Sequence, residues 1–545
     1  MYNQVMNKKI IIGEKLQSNN YYLADNKLIN VYGGELSRFG LPKKDAYGAG
    51  DGYKVAFYLE NVQNATLDFN GATLFLHGKI QPFIIDNCKN VTIKNVKVEY
   101  ERPPFSEGEV VDVGKDYFTA KFNEKCPFKI VDGNIVFYGK DWENDTLGTV
   151  DFVFVQAFDG TIKRGKGLFL ASIGKTQPPT TRPFKRIHLT PEKAGDLVKF
   201  KGYDKDILSV GDRFVIAHEN RSLSNVFIRN SENIRFENYR IVNGQGMGIL
   251  PVRVKNLYID RLIMNNDEAG ALTVTNSADA IHAVACSGDF KITNSVIGGI
   301  IDDGLNVHSY FYHADKTVGN IIYAETKSPD GTAMQNFAEE DKIAVYNQNF
   351  LEQKEEFIIK KVETYDEKTF KLTVEKSAET VKRGDLIENL SAQANLTIDN
   401  CKFVNGNTHI RLQTRGKSVI KNSVIELKVL LSGDTSYWFE SSPVNDLTFE
   451  NCSFKTMHAN VLSCPQVYVN EKAKYYHENV KFINCVFDND NAMEYNLTDK
   501  ITVLDTRAAG GGKIKVKLIN CGEFVSDGGV ELTRETAEIK EPGLN

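Results

Sequence analysis

The sequence predicts an all-β protein: a right-handed parallel β-helix, a solenoid, with small antiparallel β-barrel domains inserted between its coils. Three observations predict this class. A short asparagine-containing motif recurs at intervals in the low twenties, its copies alternate apolar and polar residues, and two stretches rich in lysine and acidic residues interrupt the series. A period of this length, with alternating strands and no helical segment, is typical of stacked coils that share one core.

The repeat follows the loose pattern Asn-x-(Thr/Arg/Tyr/Lys)-(Ile/Leu/Phe)-x-Asn-x-x-(Val/Ile/Phe). Copies begin at Asn64, Asn90, Asn233, Asn256, Asn395 and Asn479. In sequence number, the interval is 90 − 64 = 26 for the first two copies and 256 − 233 = 23 for the next two. Coils of a β-helix stack at the inter-strand spacing of ~4.8 Å, so equivalent side chains form ladders along the axis. We expect inward asparagine side chains to hydrogen-bond along one such ladder.

The cysteines are placed by the same repeat. Five of the eight directly follow an asparagine, namely Cys88, Cys401, Cys452, Cys485 and Cys521. None belongs to the C-x-x-C pairs that are typical of zinc sites. We predict buried thiols that fill the core beside Val, Ile and Phe, with disulfides or a metal as the alternatives.

Two stretches that lack the asparagine motif predict the inserted domains. They are rich in Lys, Glu and Asp and contain strand–turn–strand patterns with Asp, Gly and Lys at the turns, which are typical of small antiparallel barrels. The predicted organisation is N-terminal coils over 1–102, a first barrel-like domain over 103–216, central coils with the active site over 217–312, a second barrel-like domain over 313–392 and C-terminal coils over 393–545.

The composition excludes several classes of partner. With 66 basic and 71 acidic residues the formal net charge is −5, which argues against nucleic acid bound by phosphate neutralisation and gives no support for anionic lipid. The first apolar run, Ile10–Ile12, is shorter than the roughly 7–15 residues of a signal peptide, and no window reaches the ~18 apolar residues of a membrane span. We therefore expect neither feature in this chain, while the compartment and a homo-oligomeric state stay open.

The candidate catalytic residues are three acids that lie one period apart. Asp279 precedes Asp302 by 302 − 279 = 23 positions and Asp303 by one more, so their side chains should lie nearly above one another on one outer face. Mutual repulsion is expected to raise the pKa of at least one of these carboxyls. One group then serves as a general acid while another stays ionised, and glycosidic-bond cleavage normally uses two functional carboxylates.

Polar residues accompany these acids at short intervals. His282 follows Asp279 by three residues and His308 follows Asp303 by five, with Asn306 between the last two. We expect His282, Asn306 and His308 to bind substrate or to orient the acids. The alternatives are a structural turn, which is the usual role of an isolated Asp-Asp-Gly, and a zinc site, for which no third ligand has suitable spacing.

Further candidates lie on other coils or in the insertions. Arg411 and Arg415 offer guanidinium groups that would hold sugar hydroxyls or a carboxylate, although solvated strand arginines fit the pattern equally well. The only tryptophans, Trp142 and Trp438, would stack on a sugar face. Other acids that we keep as pocket candidates are Glu219, Asp267, Glu268, Glu339 and Glu340.

The order of motifs through the central coils resembles glycoside hydrolase family 110. The motifs are Gly246-Met-Gly-Ile, Asn256-Leu-Tyr-Ile-Asp-Arg-Leu, Ser277-Ala-Asp-Ala-Ile-His, Cys286-Ser-Gly and Asp302-Asp-Gly-Leu-Asn-Val-His308. The resemblance runs from about Asp212 to His308 and continues more weakly through Thr408–Lys417.

That resemblance implies an exo-acting α-1,3-galactosidase, a class that includes enzymes removing the terminal galactose of the blood group B antigen. It implies an inverting hydrolase on a β-helix with inserted barrels, without a metal or other cofactor. The implied catalytic residues are Asp279 on one coil and the pair Asp302 and Asp303 on the next. Which acid donates the proton and which activates water stays open, because coil spacing permits the carboxyl separations of both inverting and retaining enzymes.

Two other functions stay open on the sequence alone. A polygalacturonase-like hydrolase or a lyase would also use a β-helix, but uronates call for several basic residues, and Lys291 is the only Lys or Arg between residues 277 and 308. A non-catalytic carbohydrate-binding β-helix would offer aromatic platforms without a paired-acid site. All these candidates share one architecture, so the fold does not choose among them.

Overall fold

The computed structural model describes most of the chain. The described residues are 8–9, 15–16, 20–22, 28–32, 54–103, 105–140, 142–143, 150–158, 163–175, 187–204, 207–218, 223–244, 246–266, 272–328, 336–347, 351–405, 409–455, 461–463, 475–488 and 491–537. Within these residues the chain forms 49 strands, numbered β1 to β49 in chain order, and no helix. Nothing in this part of the chain meets the length and apolarity that a membrane-crossing helix needs.

One long parallel sheet forms the first face of the β-helix. Each of its strands pairs in parallel with the equivalent strand of the next coil. Its strands are β1 (Lys8–Lys9), β3 (Asn20–Tyr22), β4 (Leu28–Tyr32), β6 (Gln63–His77), β8 (Lys89–Tyr100), β20 (Glu232–Asn243), β22 (Lys255–Met264), β24 (Ser287–Thr293), β25 (Val296–Gly298), β32 (Ala394–Asp399), β33 (Lys402–Val404), β35 (Lys417–Lys421), β36 (Val424–Ile425), β39 (Asp446–Glu450), β40 (Ser453–Phe454), β42 (His477–Ile483), β43 (Val486–Phe487), β45 (Thr498–Leu504), β46 (Arg507–Ala508) and β48 (Glu523–Ser526).

A second parallel sheet forms the face that carries the predicted site. Its strands are β2 (Lys15–Leu16), β5 (Lys54–Glu60), β7 (Ile80–Asp86), β19 (Val226–Arg229), β21 (Ile249–Val252), β23 (His282–Val284), β26 (Leu305–Val318), β34 (His409–Leu412), β37 (Lys428–Leu431), β41 (Val461–Ser463), β44 (Asn491–Asn496), β47 (Ile514–Ile519) and β49 (Val530–Glu535). The short strand β38 (Glu440–Ser441) joins β26 in the antiparallel sense.

Alternating burial explains why these segments form coils. Along β6, Ala65, Leu67 and Phe69 are fully buried, whereas the residues between them are half-buried. Inward residues of successive coils merge into one core that runs from Val31 to Leu518. A strand that buries one face in this way has a fixed register, because a shift of one residue would turn every apolar side chain outward.

The asparagine ladder exists, but its side chains point outward, so the prediction of inward asparagines is wrong. Asn233 donates from Nδ2 to Asn90 Oδ1 at 2.8 Å and accepts a bond of the same length from Asn256 Nδ2. These residues are exposed or half-buried and have positive φ, 55° at Asn90 and 62° at Asn256. Asparagine tolerates the left-handed region better than most residues, so the coil corner selects it for its backbone and leaves its side chain outside.

The cysteines beside these corners lie inside the stack, as predicted. Cys88, Cys401, Cys452 and Cys485 are all buried, Cys521 is half-buried, and every described cysteine is a free thiol. Burial raises the pKa of Cys88 and Cys401 to about 11, which keeps both thiols protonated and unreactive near neutral pH.

The first barrel is a closed ring of seven strands. They are β9 (Ser106–Val113), β10 (Tyr117–Phe122), β14 (Val150–Phe158), β15 (Lys163–Ile173), β16 (Ile187–Ala194), β17 (Leu197–Lys201) and β18 (Arg213–Ala217), accompanied by a small sheet of β11 (Phe128–Val131), β12 (Asn134–Gly139) and β13 (Trp142–Glu143). The stack of coils is not interrupted by this barrel. Strand β8 pairs directly with β20, although 143 residues separate the paired positions.

The second barrel is a ring of six strands that begins within a coil. Leu305–Val307 of β26 pair with β34 of the β-helix, whereas Phe311–Val318 pair with other strands of the barrel. The other barrel strands are β27 (Ile321–Glu325), β28 (Lys342–Tyr346), β29 (Gln353–Thr364), β30 (Thr369–Val374) and β31 (Leu386–Asn389), and all pairs in the ring are antiparallel. The predicted class, a parallel β-helix with inserted β-barrels, is confirmed.

Both barrels pack against coils that carry the predicted acids. Phe105 and Val215, at the base of the first barrel, belong to one buried apolar cluster with the coil residues Val274 and Ile301, the second of which precedes Asp302. The core of the second barrel continues onto outward apolar side chains of the coils, such as Val284. Coil residues close in sequence to the acids therefore pack against both inserted barrels.

Candidate active site

Three stacked strands place the polar side chains of the site in one row. In the registers of β23, β26 and β34, His282 pairs with Asn306, and Asn306 pairs with Arg411. Their neighbours Val307 and Leu412 point into the core. Because successive side chains of a strand point to opposite faces, His282, Asn306 and Arg411 share the outer face.

The turns before these strands bring the acids together. Asp279 precedes Asp303 by the same interval as His282 precedes Asn306, so the two acids occupy the same corner of adjacent coils. Ala280 donates its backbone N–H to the Asp303 carbonyl at 2.9 Å, which fixes this stacking. Asp279 and Asp303 are buried, whereas Asp302 is half-buried and accepts the backbone N–H of Asp303 at 3.1 Å.

Arg411 and His409 hold Asp303 as a carboxylate. Its Oδ2 accepts a bond from Arg411 Nε at 3.0 Å, and its Oδ1 lies 3.2 Å from both the backbone N and the ring Nδ1 of His409. Burial would raise the pKa of Asp303, but Arg411 and His409 outweigh burial and hold that pKa well below its usual range. Repulsion among the acids therefore does not set the pKa of Asp303, because the positive charge of Arg411 offsets the charge of this carboxylate.

Asp279 ends a chain of hydrogen bonds through two histidines. Asp279 Oδ2 lies 2.5 Å from His282 Nδ1, and His282 Nε2 lies 2.9 Å from His308 Nε2. His308 Nδ1 faces the carbonyl oxygen of Ser309 at 2.8 Å. The carbonyl can only accept, so His308 Nδ1 must carry a proton.

This arrangement fixes the number of protons shared by Asp279, His282 and His308. Burial lowers the pKa of His308 to about 4, so its ring is neutral near pH 7 and its Nε2 is an acceptor. His282 Nε2 must then donate to His308, and the bond between His282 Nδ1 and Asp279 needs one further proton. The Asp279–His282 pair therefore shares a proton and carries no net charge.

A fourth carboxylate, Glu440, enters the site from strand β38. Its Oε2 accepts a bond from Gln413 Nε2 at 2.8 Å and lies 3.9 Å from Arg411 Nη1, and its Oε1 lies 3.9 Å from His308 Nε2. Burial would raise the pKa of Glu440, but the interactions with His308 and Arg411 lower it. Glu440 is thus an ionised group in the same cluster as the three aspartates.

Arg415 lies apart from this cluster. Its Nε and Nη2 bind the two carboxylate oxygens of Glu388 on β31 at 3.0 and 2.9 Å, and Nη2 also contacts Tyr346 Oη at 3.2 Å. Glu388 is fully buried. Of the two predicted arginines, only Arg411 contacts the acids, and Arg415 ties the second barrel to the coils.

Comparisons with known proteins agree with this architecture. The family model described as "GLAA-B beta-barrel domain I" matches residues 106–154, within the first barrel. Alpha-1,3-galactosidase B of Bacteroides thetaiotaomicron is 25% identical over 480 residues, covering 79% of this chain and 71% of that protein. Alpha-1,3-galactosidase A of Shewanella woodyi is 23% identical over 495 residues, covering 87% and 76%.

The chain is similar over most of its length to proteins named α-1,3-galactosidases. The resemblance predicted from the central motifs is confirmed by these relatives, and so is the prediction of a glycoside hydrolase. Among solved structures, the Pseudomonas phage phi297 tailspike gp61 aligns over 87% of this chain and 67% of that chain, at 10% identity and a TM-score of 0.22. At that score the alignment carries no argument about this protein.

The remaining candidates lie elsewhere or outside the described residues. Glu339 and Glu340 are exposed on the second barrel, where Glu340 pairs with Lys360 at 3.0 Å. Trp142 is buried in the first barrel against Arg102, and Trp438 is half-buried two residues before Glu440. Three acids, Glu219, Asp267 and Glu268, lie outside the described residues. Among the residues that the structure does describe, no three His, Cys, Asp or Glu side chains are arranged to hold a metal ion.

Sequence reasoning missed His409, Gln413 and Glu440. His409 and Gln413 flank Arg411 within the weaker stretch of the resemblance, so alternation along β34 offered a signal for both. Glu440 offered none, because β38 runs antiparallel to the coil and does not follow the repeat.

Proposed function

We propose that this protein is an exo-acting, inverting glycoside hydrolase that releases terminal α-1,3-linked galactose from glycans of the blood group B type, of the linear galactose-α-1,3-galactose type, or both. The observation that carries this proposal is a set of three aspartates on adjacent coils that lie in different environments. Asp303 is fixed as a carboxylate, Asp279 shares a proton with His282, and Asp302 is half-buried. Glycosidases need such a division between an acid and a base.

Burial supports an assignment of roles. In an exo-acting enzyme the departing sugar lies towards solvent, so its general acid lies at the open side of the pocket. Asp302 is the least buried of the three, whereas Asp279 and Asp303 are nearly fully buried. Asp303 lacks the proton that an acid must donate. We therefore assign Asp302 as the general acid and place Asp279 and Asp303 on the side that activates water.

The charge of the cluster favours a neutral sugar over a uronate. Arg411 is the only Lys or Arg whose contacts to these acids the structure describes, and its Nε is already bound to Asp303. Three carboxylates, those of Asp302, Asp303 and Glu440, act on that single guanidinium. A uronate carboxylate would meet net repulsion there, whereas galactose hydroxyls would find many acceptors.

The test is galactose release from galactose-α-1,3-galactose and from the fucosylated B trisaccharide, with NMR detection of the anomer that forms first. We expect β-galactose early in the wild-type reaction. Asp302→Asn should lower kcat by about 10²–10⁴-fold, the usual contribution of a general acid, and Asp279→Asn and Asp303→Asn should also be impaired.

Asp289→Asn serves as the matched control, because Asp289 is a surface carboxylate of the same β-helix that pairs with Lys291. It should retain wild-type activity. Early α-galactose would rule out inversion. No release from either glycan would overturn the substrate assignment, and the comparison of the two glycans separates the B-type specificity from the linear one.

A further inference from the structure

Glu440 is an ionised side chain with an open hydrogen-bonding position. Only 9% of the residue is exposed. Its Oε2 accepts one bond from Gln413, and no described residue donates to its Oε1. A carboxylate has about four acceptor positions, and a buried one that lacks donors is costly. The position of Glu440 therefore fits a ligand that brings its own O–H donors.

Arg411 offers the complementary donors beside this acceptor. Its Nε binds Asp303, but its Nη1 and Nη2 hydrogen-bond to no described residue. Nη1 lies 3.9 Å from Glu440 Oε2, which is too long for a direct bond. If one hydroxyl oxygen lay at a normal ~2.8 Å from both atoms, the angle at that oxygen would be about 90°. A hydroxyl that donates to Glu440 and accepts from Arg411 can satisfy this angle.

A second open group lies on the neighbouring coil. Asn306 pairs in register with Arg411, is 3% exposed, and its Oδ1 is buried without a partner among the described residues. Native proteins satisfy nearly all buried polar atoms, so an atom left open in a site is a position that a ligand or a water molecule completes. Asn306, Arg411 and Glu440 thus present an acceptor, a donor and an acceptor on adjacent strands.

We propose that Glu440 is a specificity-determining residue, which binds a hydroxyl group of the terminal sugar together with Arg411 and thereby selects a neutral hexose. Glu440 accepts the hydroxyl proton and Arg411 donates to the hydroxyl oxygen. Asn306 binds a further hydroxyl from the adjacent coil. This inference rests on the proposed function, because it takes the ligand to be the terminal sugar of a glycan.

The test combines Glu440→Gln with substrates that lack one hydroxyl. The substrates are galactose-α-1,3-galactose and its analogues with a 2-, 3-, 4- or 6-deoxy terminal galactose. A hydrogen bond to a charged group predicts a loss of about 10- to 100-fold in kcat/KM for Glu440→Gln on the intact disaccharide. For the one deoxy analogue that lacks the bound hydroxyl, the kcat/KM of the wild type should be lower than on the intact disaccharide by a similar factor. On that analogue, Glu440→Gln should lower kcat/KM little further.

Two comparisons separate recognition from a structural effect. Glu450→Gln removes an exposed carboxylate of the same β-helix and should keep wild-type kcat/KM. Glu440→Gln should keep the wild-type unfolding midpoint. The proposal is overturned if Glu440→Gln lowers kcat/KM relative to the wild type by the same factor on every deoxy analogue, or if it does not lower kcat/KM on the intact disaccharide.

A separate measurement keeps the inference testable if the wild type releases no galactose and the proposed function fails. Calorimetric titration with galactose, glucose and mannose measures hexose binding without catalysis. Binding of one hexose by the wild type and at least tenfold weaker binding by Glu440→Gln would support the role of Glu440. Equal binding by the two proteins, or no binding by the wild type, would refute it.

Discussion

His282 links two groups with different proton requirements. It donates to a neutral His308 on one side and shares a proton with Asp279 at 2.5 Å on the other. The imidazole can accept or release that shared proton as the charge on Asp279 changes. Asp279 can thus move between a proton-bearing and an anionic state without exposure to bulk solvent.

Replacement of His282 should therefore affect turnover more than binding. We expect His282→Gln to lower kcat by about 10- to 100-fold, the worth of a hydrogen bond to a charged group, with a smaller change in KM. Steady-state kinetics on galactose-α-1,3-galactose provides the measurement. His188→Gln is the control, because His188 bonds to Ser172 in the first barrel, away from the acids. A kcat for His282→Gln within twofold of the wild type would contradict the role given to this pair.

At the residue scale, the coil period predicted which acids would be neighbours but not their protonation states. The sequence interval placed Asp279 against Asp303 because parallel coils repeat in register. The state of Asp303 depends on Arg411, which follows it by 108 residues across the second barrel. Spacing within one motif carries no information on such a partner. The sequence therefore led us to expect repulsion among the acids, whereas Asp303 forms an ion pair with Arg411.

At the scale of elements, the second barrel is joined to the coils through an ion pair between half-buried Arg415 and fully buried Glu388. Arg415 follows β34, whereas Glu388 and Tyr346 belong to barrel strands β31 and β28. A buried pair of this kind contributes little compared with apolar packing, but loss of one partner leaves an uncompensated charge. The pair therefore makes the docking of the barrel sensitive to either residue.

Arg415→Met should lower the free energy of unfolding by about 3 kcal/mol, because it leaves the fully buried Glu388 carboxylate unpaired. Urea denaturation followed by circular dichroism gives the value. The double variant Arg415→Met with Glu388→Gln should recover part of this loss. Arg383→Met is the control: it removes an exposed pair with Asp315 on the same barrel and should change stability by less than about 1 kcal/mol. Equal effects of the two arginine substitutions would refute a special role for the buried pair.

The corner asparagines show what a repeat pattern does and does not predict. The pattern located the corners correctly, because each copy marks the same place in successive coils. The direction of the side chain was wrong, since the φ of 56° at Asn233 is a backbone requirement that a sequence motif does not display. A ladder of equal spacing forms whether the side chains point inward or outward.

At the scale of the whole molecule, buried histidines make stability depend on pH. Burial lowers the pKa of His308 and His313 to about 4 and that of His477 to about 3, against about 6.5 in an unfolded chain. Between these values the unfolded chain binds protons that the folded chain does not. The stabilisation is complete above pH 6.5 and is lost progressively as the pH falls towards 4.

Burial also lowers the pKa of His218 well below its usual value, so four such groups predict a slope of at most about 5.5 kcal/mol per pH unit in the free energy of unfolding between pH 6.5 and 4. Urea midpoints at pH 7.5, 6.5, 5.5 and 4.5 measure it. His477→Gln should reduce the slope by the contribution of one proton, because His477 is fully buried and accepts a bond from the backbone of Val444. Equal midpoints at pH 7.5 and 4.5 would contradict the expectation.

The direct pairing of β8 with β20 has a consequence for how such a chain acquires domains. Closing a loop of 143 residues instead of an ordinary coil of 26 adds only about 1.5 kcal/mol of chain entropy, because the closure term grows with the logarithm of length. That increment is smaller than the usual loss on truncating one buried leucine to alanine. A solenoid can therefore accept an entire folded module at a corner while its stack stays intact, and such a module can be exchanged without rebuilding the coils that hold the proposed catalytic residues.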